Sequence, residues 1–441
     1  MPHIINTATA FPTHYHSQQE ISFALRAVWI KKGLDVAIFD RLQKAVTVEG
    51  RYLALPMSEY YKLDGFADCN RAWLEVALEL GERVINDLLE KTNLHPQEIQ
   101  MLMSVTSTGV TVPSLEARLM NRIAFAQDLK RVPLFGLGCL AGTAGVARVG
   151  DYLKGHPEEA AILLTIELCS LTLQAEDLSI ANIISSGLFG DGAAAVLLVG
   201  DQHPLVKSNE KRNSKANEFH GSKVSKGSKD ESERDHEFHK PRVLSSKSIF
   251  FPDSEEVMGW DVTDRGLKIM LGQGVPGYAK QLRPHVDSFL AEHGLSIPDI
   301  ALWLTHPGGP KVINTIESCL ELPPKSLDKT RKHLREVGNI SSTSVLVILD
   351  ECLNGPVPKI YGKSDTGNFG MMISLRRLRL NSHKRCAASN ATNNMNPQRL
   401  TIAAKPIHLK MPVPMKSSFQ NFRYRIYHRF SEPDHLNIRQ V

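Results

Sequence analysis

The chain has 441 residues, 42% of them hydrophobic, which is enough for two or three domain-sized units or one large duplicated fold with a substantial core. It holds no uncharged apolar run of about eighteen residues, which argues against a membrane span. The net charge of +5 is a misleading average: residues 376–441 hold thirteen Lys/Arg and two Asp/Glu, or +11, so the rest of the chain carries −6. The basic balance therefore belongs to an appendage and does not by itself imply a nucleic-acid-binding body.

The N-terminal stretch "MPHIINTATAFPTHYHSQQEIS" lacks a basic region followed by an apolar one, so it does not read as a signal peptide and a cytoplasmic setting is expected. Residues 71–90 space their apolar positions as a helix does. Residues 99–108, 132–138, 161–168 and 193–200 read as strands, and strands alternating with helices imply a layered α/β fold. Residues 203–246 are rich in Lys, Ser, Glu and Asn and poor in apolar residues, which predicts a disordered polar insertion between residues 1–202 and 247–375. The "HEFH" inside it lacks the HExxH spacing of a helical metal site. The pattern resumes with a helix over roughly 278–294, a strand at 300–307, and helices at 311–322 and 342–353. From about residue 376 the chain is basic and irregular, with no clear terminal strand.

The cysteines (Cys69, Cys139, Cys169, Cys319, Cys352, Cys386) show no CxxC spacing, against a zinc site or disulfide framework. Cys139, in "LFGLGCLAGTAG", follows a strand and precedes a helix of very small residues. There the positive end of the helix dipole favours thiolate, the nucleophilic form. The other reading is a buried packing cysteine. His306, in "LWLTHPGGP", sits at the mouth of a strand on a tight turn, where it is either reactive or a satisfied turn histidine. Asn339, in "EVGNISSTSVLVILDE", either works in a site or caps a helix. Each of the three lies where a strand or loop meets a helix start. Together they allow acid–base support of a thiolate and hydrogen bonds to a developing oxyanion.

"GCLAGTAG", "FGDGAAAVLLVG" (189–200), "THPGGPKVI" (305–313) and "GNISSTSVLVILDE" (338–351) occur in this order and spacing. In these the chain resembles the type III polyketide synthases, the chalcone- and stilbene-synthase-like family, over roughly 1–202 and 247–362. The resemblance implies a thiolase-like layered αβαβα fold from two similar halves, a homodimer, acyl-CoA and malonyl-CoA as substrates, and no metal or redox cofactor. It implies Cys139 as the acyl-accepting nucleophile and His306 and Asn339 as its catalytic partners. Phe189 matches an aromatic gatekeeper between CoA tunnel and cavity, and Ile269 stands where the second gatekeeper is usually aromatic. Val112 matches a residue reaching into the partner's cavity, Ser107 and Ser185 match cavity-lining positions, and Arg51 matches a basic residue near the CoA phosphates. Ile269 leans the reading toward acyl starters and resorcinol or pyrone products.

Two features distract. "GQGVPG" (272–277) is literally GxGxxG, but a proline interrupts it and no long strand precedes it. The "GDG" at 190–192 lacks the following Gly-Lys-Ser/Thr of a phosphate loop. The chain departs from the family at its end: only Phe369-Gly370 remains of the Gly-Phe-Gly-Pro-Gly loop, followed by a divergent extension or a shifted reading frame. Three alternatives follow: an inactive or divergent homologue, a ketosynthase that depends on an acyl-carrier protein, and nucleic-acid binding through the tail.

Overall fold

The structure, a computed structural model, describes residues 1–207, 241–254, 257–272, 274, 277, 279–355 and 369–373. Five strands form the main sheet in the order β1–β7–β6–β4–β5: β1 (His3–Ala10), β4 (Met101–Val105), β5 (Lys130–Leu134), β6 (Ala160–Leu168) and β7 (Asp191–Val199). β4 lies parallel to β5 and β6, while β7 is antiparallel to β6 and β1. Every residue of β6 and β7 is buried. Strands with two buried faces need cover on both sides.

Alternation along these strands shows what covers each face. Ile162, Leu164, Ile166, Ala195 and Leu197 share one core cluster with Trp73, Ala77, Leu80, Val84 and Leu88 of α3 (Gly65–Thr92). Ala161, Leu163, Ala194, Val196 and Leu198 share another with Val149 and Leu153 of α5 (Ala141–Gly155) and with Val345, Ile348 and Leu349 of α10 (Ser344–Asn354). Leu304 of β10 (Ile300–Thr305) joins that second cluster. Ile300 and Trp303 of the same strand face a third, with α7 (Leu282–Ala291), α8 (Pro310–Cys319) and Leu334 of α9 (Asp328–Val337). The order helix, sheet, helix pair, sheet, helices is the expected αβαβα layering, with α5 and α10 in the middle layer.

α5 can enter that layer because its inward face is small. A Cβ on Gly145 would come within 2.6 Å of the Leu163 side chain. Smaller units complete the body: the antiparallel pair β2 (His14–Ser17) and β3 (Gly50–Leu53), helices α1 (Gln18–Trp29), α2 (Val36–Ala45), α4 (Leu115–Leu119) and α6 (Ile180–Leu188), and the antiparallel pair β8 (Met258–Thr263) and β9 (Gly266–Leu271). A capping box starts α1: the Ser17 side chain accepts from Glu20 N–H while the Glu20 carboxylate accepts from Ser17 N–H. Among the described residues no helix is long and apolar enough to cross a membrane.

Two expectations change. The polar insertion is narrower than 203–246 at both ends. His203 and Val206 are buried, and Ile4 N–H and Val243 N–H bond to the Pro241 and Pro2 carbonyls, tying the far end to β1. Residues 208–240, with "HEFH", lie outside the described residues. Phe369-Gly370 does not form a loop: the two residues open β11 (Phe369–Ile373), which pairs parallel with β10 from Ile300↔Phe369 to Thr305↔Ile373. An extended run of mostly apolar residues beside a buried strand finds its hydrogen bonds there. The tail at 376–441 lies outside the described residues.

Candidate functional site

Four strand or helix ends converge on one place. β5 leads through Gly138, at φ 48°, into a short 3₁₀ turn that holds Cys139 and continues as α5. Cys139 is buried, with Sγ 3.5 Å from Ser341 Oγ. Ser341 itself stands at φ 45°, a left-handed conformation uncommon for a residue with a side chain. Asn339 holds that turn, because its Oδ1 accepts from Ser341 N–H at 2.8 Å. The Asn339 backbone is held in turn: its N–H bonds Leu188 O at 2.8 Å and its O accepts from Gly190 N–H at 3.0 Å. Asn339 is therefore neither a free side chain nor a simple helix cap; its backbone pairs with Phe189 as an isolated parallel bridge.

Behind Cys139 runs a chain of hydroxyls. Ser341 Oγ lies 3.2 Å from Ser107 Oγ, which donates to Glu167 at 3.0 Å. Ser342, Thr108 and the Ser107 N–H also donate to Glu167, at 2.6, 3.0 and 2.9 Å. Glu167 is fully buried, and desolvation raises its pKa even though these donors pull the other way. The Cys169 thiol is pushed up by burial, then by the charges of Glu167 and Asp191.

His306 follows β10 directly and is 6% exposed, and neither ring nitrogen has a hydrogen-bond partner among the described residues. Desolvation lowers its pKa to about 4, so the ring is neutral at pH 7. A second histidine, His333 of α9, lies near enough for the two charges to repel; burial first, and then His306, lower its pKa to about 3. His333 Nε2 lies 3.0 Å from Ser344 Oγ, and Ser344 Oγ accepts from Ile340 N–H at 2.7 Å. The His306 side is thereby linked to the turn after Asn339.

The remaining expected positions fall as follows. Ser107 is buried in the hydroxyl chain. Ser185 is buried, with its hydroxyl turned back onto the Asn182 carbonyl at 3.0 Å. Val112 is 95% exposed in this single chain, next to Pro113. Ile269 is buried on β9, opposite Trp260 of β8, and the Trp260 ring lies 6.2 Å from the Phe189 ring.

Arg51 is a correction. It is 2% exposed, and its guanidinium donates to Gly187 O, Ser186 O and Gln18 Oε1, so it does not reach out to CoA phosphates. A guanidinium turned onto carbonyls inside the body is not presented to a diphosphate at the surface.

Sequence reasoning missed Glu167, Ser341, His333 and Trp260. Glu167 did carry a signal, as the lone charge in the apolar run "AAILLTIEL", where a carboxylate needs donors. Trp260 carried none until the β8–β9 register placed it against Ile269.

Two family models match the chain: chalcone and stilbene synthases, C-terminal domain, over residues 242–376, and FAE1/type III polyketide synthase-like protein over residues 66–235. The 1,3,6,8-tetrahydroxynaphthalene synthase of Streptomyces peucetius subsp. caesius is 37% identical over 83% of this chain and 88% of its own length. A putative chalcone synthase of Bacillus subtilis is 32% identical over 80% of this chain and 92% of its own. The crystal structure of the tetrahydroxynaphthalene synthase of Streptomyces coelicolor A3(2), a bacterial type III polyketide synthase, superposes with a TM-score of 0.68 at 26% identity, covering 80% of this chain and 92% of that one. The layered fold and the convergent strand ends have a family: the chain belongs to the type III polyketide synthases, chalcone- and stilbene-synthase-like enzymes that form carbon–carbon bonds by condensing acyl units.

Proposed function

We propose that Cys139, His306 and Asn339 carry the condensation, and that the starter is small, with malonyl-CoA the leading candidate. The acyl group of a CoA thioester passes to Cys139 Sγ, and CoA leaves as the thiol. Malonyl-CoA then binds and loses carbon dioxide, and the Asn339 amide and a neutral His306 ring N–H donate to the enolate oxygen. The enolate carbon attacks the Cys139 thioester, and the extended chain returns to Cys139 for the next round. Cyclisation ends the sequence. No step calls for a metal or redox cofactor, because the thioester activates the carbonyl and decarboxylation drives bond formation. A homodimer in which Val112 reaches the partner's cavity fits its exposure.

The observation that carries the site is His306: a buried imidazole whose two nitrogens have no partner among the described residues is costly unless a ligand uses them. For the starter it is Trp260. Ile269 alone suggested a roomier gate, but the Trp260 ring stands across from it and packs on Phe189. The tetrahydroxynaphthalene named in the relatives is a ring system oxygenated at alternate carbons without a side chain, the pattern that malonyl units alone give.

The test is an incubation of the full chain with labelled malonyl-CoA, alone and with aromatic or long-chain acyl-CoAs, beside Cys139→Ala. Aromatic product from malonyl-CoA alone, absent in the variant, is expected. Product only with a large starter overturns the starter reading; product retained in Cys139→Ala overturns the nucleophile.

A further inference from the structure

Arg51 sits where no solvent or substrate phosphate reaches it, yet its environment is built with care. Its Nη1 donates to Gly187 O at 2.8 Å and its Nη2 to Ser186 O, the last carbonyls of α6. Those carbonyls have no partner within the helix and form the negative end of its dipole. Two buried glutamines complete the clasp. Gln18 accepts from Arg51 and donates to Gly187 O at 3.2 Å and to Gln43 Oε1 at 2.8 Å. Gln43 donates to Ile183 O at 2.8 Å. The planar fork of a guanidinium takes adjacent carbonyls at once, which the point charge of a lysine does not.

What α6 leads into gives the clasp its meaning. Phe189 is its C-cap, and Leu188 O and Gly190 N–H on either side pair with the Asn339 backbone at 2.8 and 3.0 Å. The Arg51 stem packs against both partners: a Cβ on Gly190 would lie 3.3 Å from Arg51 Cβ, and one on Gly338 3.5 Å from Arg51 Cδ. The guanidinium therefore fixes where α6 ends, and the end of α6 fixes both Phe189 and Asn339. Burial lowers its pKa to about 10, with Asp191 opposing, so it keeps its charge at neutral pH.

We propose that Arg51 is a positioning residue for the condensation site: through the α6 carbonyls it sets the Phe189–Asn339 pairing, with Gln18 and Gln43 as its supports. This rests on the reading that Asn339 acts in the reaction.

The experiment compares wild type with Arg51→Lys in three measurements: CoA binding by calorimetry, steady-state malonyl-CoA kinetics per alkylatable Cys139, and amide hydrogen exchange by peptide. The positioning role predicts a kcat lower by about tenfold or more, with KM and the CoA Kd within about threefold of wild type. It also predicts faster exchange confined to peptides covering 186–191 and 337–341. A CoA Kd that rises beyond that range, an unchanged kcat per intact thiol, or exchange that quickens uniformly overturns it. Should Arg51→Lys not fold, Gln43→Met carries the same comparison, with an expected loss of about threefold in kcat. If wild type makes no product, the condensation reading fails by itself, and the binding and exchange measurements still decide the clasp.

Discussion

The groups behind Cys139 are hydrogen-bonded from end to end, through Ser341 and Ser107 to a buried Glu167 that collects four donors. Across the site, His306 is buried too, and among the described residues it has no partner at either nitrogen. One flank is complete without substrate and the other is not. A saturated network resists movement, and its geometry is set by folding. An unsatisfied imidazole is the group that gains most when an oxyanion arrives, because its desolvation has already been met by the fold. The difference suggests a division of labour: the Cys139 flank fixes where the acyl group sits, and the His306 flank stabilises charge that appears during reaction.

The sharpest way to break this contrast is His306→Gln. If the ring donates to the enolate, kcat for condensation falls by about 10²–10³-fold. Steady-state assays on the variant, corrected for thiol content, measure it. A loss confined to KM would place His306 in substrate binding and end the division proposed here.

Acid stability separates the flanks by sign. His306 and His333 have folded pKa values of about 4 and 3, below the ordinary 6.5, so each contributes stability that is present above pH 6.5 and lost as pH falls through the folded value. From pH 6.5 to 4, at about 1.4 kcal/mol per unit, each withdraws about 3 kcal/mol. Asp191 works the other way. Burial raises its pKa to about 6 from 3.8, so its contribution is full below 3.8 and lost as pH rises through 6; acidification regains about 3 kcal/mol. Glu167 behind Cys139, whose pKa burial also raises, shares the sign of Asp191, so the two histidines carry the fall on acidification and these carboxylates oppose it. Denaturant melts at pH 7 and pH 4 check this, and His306→Gln should lessen the fall. A variant with the full acid sensitivity of wild type would show that His306 is not the desolvated group.

Much of this was legible in the sequence, and the limits have physical causes. The strands at 161–168 and 193–200 showed themselves as continuous apolar runs because both faces are covered, and the helices at 71–90 and 342–353 by their periodicity. Cys139, His306 and Asn339 were visible because small residues and turns flank each of them. Arg51 was misread because a basic residue beside "YLAL" looks the same whether its stem leads outward or under a helix end. His333 and Ser344, eleven positions apart, meet only when α9 and α10 pack, and no local pattern announces such a pair.

The smallest expected effects test why the Cys139 flank is rigid, and they use two glycines of one helix. Gly142, in the first turn of α5, faces the turn that follows Asn339. A Cβ there would overlap the Ser342 carbonyl and come within 3.0 Å of Val345 Cγ1. Backbone cannot swing aside as the end of a long side chain can, so Gly142→Ala should cost about 1–3 kcal/mol and lower condensation as Cys139 and Ser341 separate. Gly155, at the far end of the same helix, has nothing within 4 Å of the same added atom. There only helix propensity acts, and Gly155→Ala should stabilise by up to about 1 kcal/mol with activity unchanged. Chemical melts and turnover of the two variants side by side separate close packing from propensity. If Gly142→Ala were as harmless as Gly155→Ala, the order of the Cys139 flank would have to come from the Glu167 network alone, and Glu167→Gln would become the substitution that loosens it.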